Sequence, residues 1–195
     1  MKTGLFGSLA GVSAILAGVF GLLYSVAFVV LESESLSALF LLLGGLMMIV
    51  VMTALYRLNR DSDASFALLA FALSAGAGAG SLIHGGYDLS NAIHPPASLN
   101  TDLPNPIDPR GLLTFGIGGI GVFLWSWLMA RNSSFPTALR YVGFLSAILM
   151  LVLYLGRLLI LQATSPVILI PALLEGFLVN PLWYLWLGFG PLRRM

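Results

Sequence analysis

A chain of 195 residues that is 58% hydrophobic and 9% charged, with mean hydropathy +0.97, is too apolar for a water-soluble domain and has the composition of a polytopic membrane protein. Its net charge of +1 offers no clustered basic face for nucleic acid. The lack of any cysteine excludes disulfides, iron–sulfur clusters, thiolate metal sites and a cysteine nucleophile.

Six apolar spans are predicted in one all-α transmembrane domain, at about residues 4–31, 36–56, 64–84, 111–130, 141–161 and 167–189. Each approaches the ~20 residues that cross ~30 Å of hydrocarbon. The first follows Met1 and Lys2. It is longer than a signal-peptide core and ends without a small-x-small cleavage site, so it reads as a retained helix. Within it Gly7, Gly11, Ala14, Gly18, Gly21 and Ser25 recur at steps of four and three. That spacing puts small residues on one face, where a neighbouring helix, a partner protein or a second copy can approach closely.

The third span holds Ser74-Ala75-Gly76-Ala77-Gly78-Ala79-Gly80-Ser81. An unpaired strand cannot satisfy its backbone in lipid, so the alternation is predicted to be helical and to serve packing. Beyond it come His84, Tyr87, Asp88 and Asn91, which share one face if the helix continues, with His94 at its edge and Pro95-Pro96 as the stop. Residues 85–110 are assigned as an outer loop, and their prolines from Pro95 to Pro109 suit a lid over the outer mouth. The fourth span contains Gly116-Ile117-Gly118-Gly119-Ile120-Gly121, formally GxGxxG. No strand precedes it and no acidic residue follows at the dinucleotide distance, so it reads as close packing.

The fifth and sixth spans carry Arg157 and Glu175. An ionisable group at membrane depth costs roughly 2.5–3.5 kcal/mol on insertion scales and persists with a partner or a role. Arg157 lies five residues, ~8 Å, from Gln162, and Glu175 nine residues, ~13 Å, from Pro166. An arginine side chain spans that difference, so the two are expected to pair. Pro171 and Asn180-Pro181 predict a kink around Glu175.

Orientation follows from the basic residues. With the N-terminus inside, Lys2, Arg57, Arg60, Arg131, Arg140, Arg193 and Arg194 are cytoplasmic and Arg110 is outside. Both termini are then inside. Trp125, Trp127, Trp183, Trp186 and Tyr56 fall at the inner ends of their spans, as in an aromatic belt. The sequon Asn132-Ser133-Ser134 falls on the inner side and is discounted.

These positions predict a polar pocket in the outer half of the bundle. His84, Asp88, Arg157 and Glu175 line it, with Tyr87, Asn91, Tyr154 and Asn180 around them. The bland reading is a buried Arg157–Glu175 salt bridge and a surface His84–Asp88 bond. Three sharper readings stand beside it. Arg157 anchors a small anionic ligand. His84 and Asp88, with His94 or Glu175 as the third ligand, hold a divalent metal for hydrolysis at the outer face. The histidines ligate haem, although two histidines ten residues apart near one helix end fit that poorly. The absence of an intramembrane lysine excludes a retinal Schiff base, and no inverted pair of broken helices marks a secondary transporter.

The closing segment Asn180-Pro181-Leu182-Trp183-Tyr184-Leu185-Trp186-Leu187-Gly188-Phe189, with six short-looped spans before it, resembles a group of bacterial six-helix membrane proteins of unknown function. The intramembrane Arg-x-x-Glu associated with that group is absent. The resemblance implies a fold and a bacterial cytoplasmic membrane, and no activity. The leading expectation is a non-catalytic small subunit or ligand-binding module. The alternative is the metal-dependent membrane hydrolase.

Overall fold

The computed structural model describes residues 4–95, 113–160 and 165–195. Every regular element among them is helical. Helix α1 (Leu5–Ser25) ends in a π turn, Val26–Val30, and α2 (Glu34–Asn59) and α3 (Ala64–Ile93) follow. A second π turn, Leu113–Ile117, leads into α4 (Gly118–Met129), then comes α5 (Thr137–Leu159). The last span is α6 (Pro166–Leu174), a third π turn (Glu175–Val179) and α7 (Asn180–Phe189), with a 3₁₀ turn at Pro191–Arg194. Five of these spans are long and apolar enough to cross a membrane, and the sixth, Thr114–Met129, is shorter. The chain is an integral membrane helix bundle.

Short turns force sequential helices to lie antiparallel. Neighbours in sequence pack on one another and the last span closes on α1, which completes a ring. Both termini meet at one end, where the Gly4 amide donates to the Met195 carbonyl at 3.1 Å. The turns after α2 and α4 lie at that end too, tied by Asn132 Nδ2 to Leu58 O at 2.9 Å. Arg57, Arg60, Arg131, Arg140, Arg193 and Arg194 belong to these turns and to the C-terminal segment. Arg131 stacks over Trp127 at 3.9 Å and Arg57 over Phe6 at 5.0 Å, so their apolar stems rest on rings while the charge reaches outward.

Small residues set the spacing of the helices. The small-residue face of α1 receives the chain's own last helix: a Cβ on Gly188 would sit 2.8 Å from Gly11 O, and one on Gly18 would sit 3.0 Å from Pro181 O. Helices α2 and α3 touch backbone to backbone at two points. A Cβ on Gly45 would lie 2.6 Å from Gly78 O, and one on Gly85 would lie 2.6 Å from Ala38 O. The second contact corrects the expected boundary of the third span. Gly85-Gly86 does not end the helix, because Gly85 serves close approach to α2. Helix therefore runs to Ile93 and the segment assigned to a loop begins at His94.

The core also corrects the belt. Trp125 and Trp183 are fully buried. Trp125 Nε1 donates to Ser74 Oγ at 3.1 Å, in space left by Gly121. The indole of Trp183 fits against Gly143, where a Cβ would meet Nε1 at 2.7 Å. Trp127, Trp186 and Tyr56 stay half-exposed at the arginine end, as an interfacial belt requires.

Candidate functional site

Glu175 is the single charged residue buried among the described residues, with 4% of its surface exposed. Its position follows from the two prolines of the last span. Pro171 and Pro181 supply no N–H, and the Pro181 ring clashes with a carbonyl one α turn back. Between them the helix widens to a π turn at Glu175–Val179, and the Asn180 amide bonds to Glu175 O, five residues back. Regular helix restarts at Asn180, so that Pro181 sits in a first turn, where a missing donor costs nothing.

The π turn aims the Glu175 carboxyl at α5. Ser146 Oγ donates to Oε1 at 2.6 Å, and Asn180 Nδ2 approaches the same oxygen at 3.3 Å. Oε2 is enclosed and has no hydrogen-bond partner among the described residues. From the other side α1 closes the layer. A Cβ on Gly176 would meet Ser25 Oγ, and one on Gly21 would lie 3.2 Å from Asn180 Oδ1. Ser25 itself donates to Gly21 O at 3.1 Å. Three spans thus bring Ser25, Ser146, Glu175 and Asn180 into one polar layer. Ser146 lies nine residues, about 13 Å, into α5, near the middle of that helix.

Arg157 is not part of this layer. It stands eleven residues beyond Ser146 on α5, about 16 Å along the axis. The hairpin register explains the difference from the expected pair. Gly156 packs on Ile168, with a Cβ-to-Cγ1 distance of 3.3 Å. Arg157 is therefore level with the start of α6, and Glu175 is two turns deeper.

His84 and Asp88 are brought together: Nε2 and Oδ2 are 2.9 Å apart near the C-terminal end of α3. Tyr24 of α1 is close enough to Asp88 for that charge to act on it. Tyr87 and His94 point to the exterior and Asn91 is half-buried. Tyr154 packs its ring on Gly116, where a Cβ would meet it at 2.9 Å. Among the described residues no three His, Asp or Glu side chains converge as a metal set. His84 and Asp88 are turned toward each other, and His94 caps the helix end ten residues on. The lid expected over residues 95–110 falls, from residue 96 on, outside the described residues.

Sequence reasoning missed Ser146 and Ser25. Each is a serine in an apolar helix, where its usual role is a bond to its own backbone. The signal that finds Ser146 is its height in the hairpin opposite Glu175.

Compared with family models, with curated proteins and with solved structures, the chain has no match.

Proposed function

We propose that this chain is a non-catalytic membrane protein, a small subunit or ligand-binding module of a bacterial cytoplasmic membrane, with both termini inside. Its binding centre is the polar layer around Glu175. The outer His84–Asp88 pair and Arg157 form the approach to that centre. The orientation is supported by the seven basic residues assigned to the inner side against one outside, and by the pairing of the two termini at one end. The binding role is carried by one observation. A carboxyl at mid-bundle depth is held by one oxygen, while the other has no hydrogen-bond partner among the described residues. A carboxylate kept purely for packing is expected to satisfy both oxygens, since an unmet buried acceptor is costly.

The test is labelling with dicyclohexylcarbodiimide, an apolar reagent that adds to carboxylic acids from within lipid. The purified protein in phosphatidylcholine vesicles is treated and its peptides are mapped by mass. A centre that opens to exchange gives an adduct on Glu175. An unmodified Glu175 under conditions that modify a control membrane acid would overturn the reading.

A further inference from the structure

The two groups that meet Glu175 Oε1, Ser146 and Asn180, are both neutral. Hydrogen bonds from neutral donors spread a negative charge without cancelling it, and a net charge in hydrocarbon is expensive. We propose that Glu175 Oε2 is the ligand atom of a monovalent-cation site, loaded with a proton or a sodium ion. This rests on the Glu175 layer being the binding centre.

Charge sets the valence. One carboxylate stands in the layer, and Glu175 is the single charged residue buried among the described residues. One positive charge therefore completes it, and a divalent ion would leave an excess. Space sets the size. The close approaches of Gly176 to Ser25 and of Gly21 to Asn180 leave no room for an organic cation. The donors set the chemistry. Ser25 Oγ, Ser146 Oγ and Asn180 Oδ1 are all hard oxygens, as a small alkali cation prefers.

The groups facing the carboxyl are few. On α1 it is Ser25, on α5 Ser146, and on α7 Asn180 and Tyr184, the last close enough to feel the Glu175 charge. Of these Tyr184 alone titrates besides Glu175. Of the two charged residues of α5, Arg157 is about three turns outward, and Arg140 lies six residues the other way, in the first turn, where it donates to Ala130 O at 3.1 Å. On α1, Tyr24 is near enough to Asp88 to feel its charge, and the next residue, Ser25, abuts the π turn.

The experiment measures the rate of carbodiimide adduct formation at Glu175 in wild-type vesicles, at several pH values and with sodium or choline chloride. Binding of radioactive sodium is measured in parallel on wild type and Glu175→Gln. A sodium site shows saturable binding that is lost in Glu175→Gln, and sodium but not choline slows labelling of the wild type. A proton site shows no sodium effect, and labelling falls about tenfold per pH unit only above a midpoint higher than that of an exposed control carboxyl in the same vesicles. Either result supports the proposal and names the ion. Labelling of Glu175 that ignores sodium and follows pH only as an exposed control carboxyl does, with no sodium bound, overturns it while leaving the binding centre standing. No labelling under any condition overturns both. The competition on wild type needs no variant, so a Glu175→Gln protein that fails to fold does not blunt the test.

Discussion

Ser146 and Glu175 face each other across the hairpin of α5 and the last span, with Oγ donating to Oε1 at 2.6 Å. The contact joins the middle of one helix to the π turn of another, so it links the kink of the last span to the rest of the bundle. Removing the donor exposes how much the layer matters. Ser146→Ala should destabilise the protein by about 1–3 kcal/mol, because Glu175 keeps only the longer Asn180 bond. Glu175→Leu removes the acceptor as well as the buried charge. The double variant should therefore be more stable than the sum of the single losses predicts. Thermal unfolding in detergent measures the cycle, and strictly additive losses would show that the two side chains do not interact.

The bundle was legible in the sequence because lipid leaves so few options. A run of about 20 apolar residues in a membrane must be helical, and small loops must reverse it. The alternating Ser74–Ser81 segment was readable for that reason. The end of α3 was not, because Gly85 reads as a breaker until the backbone of Ala38 is known to lie against it. Glu175 was legible as an intramembrane charge, and Asn180 as its neighbour one turn away. Its partner was not, because charge arithmetic pointed to Arg157 while the register of the hairpin selected Ser146. Trp125 and Trp183 misled for a similar reason. Their place near the span ends suits a belt, but Ser74, Gly121 and Gly143 on neighbouring helices make room for them inside.

The arginine end is held by asparagine. Asn132 donates to Leu58 O at 2.9 Å and to Asn59 Oδ1 at 3.4 Å, and its own Oδ1 accepts from the Ser134 amide at 3.0 Å. It thereby ties the turn after α4 to the turn after α2. Asn132→Ala should cost about 1–3 kcal/mol, more than a surface loop substitution, since Leu58 O loses its donor. Asp63→Ala should cost about 1 kcal/mol through loss of the N-cap bond to the Phe66 amide. Chemical unfolding of each variant, compared with Ser62→Ala as an exposed control, tests the ranking. An Asn132→Ala protein no weaker than that control would mean the two turns are joined by other contacts.

Glycines at matching sequence positions should differ sharply. A Cβ at Gly45 would sit 2.6 Å from Gly78 O, 2.8 Å from the Leu82 amide and 2.9 Å from Ser81 Cβ, so backbone on both helices would have to part. At Gly76, about half a turn before Gly78 on α3, nothing lies within 4 Å. Gly45→Ala should therefore cost about 1–3 kcal/mol by overpacking, and Gly76→Ala should gain up to about 1 kcal/mol from helix propensity. Differential scanning fluorimetry of the two variants decides it. Equal midpoints would mean that the α2–α3 contact yields without penalty.

The direction in which the site faces can be settled with thiol chemistry, because the chain has no cysteine of its own. Ser35 lies in the first turn of α2, at the end opposite the arginines, and is exposed. Ser62 lies in the turn after α2, beside Arg60, and is also exposed. If the arginine end is cytoplasmic, Ser35→Cys should react with an impermeant maleimide in intact cells, and Ser62→Cys only after the membrane is opened. Exposure at both sites removes burial as a reason for either to be silent. The reverse pattern would turn the whole bundle over. Asp88 and His84 would then face the cytoplasm, and any ion reaching Glu175 past Tyr24 would come from inside the cell.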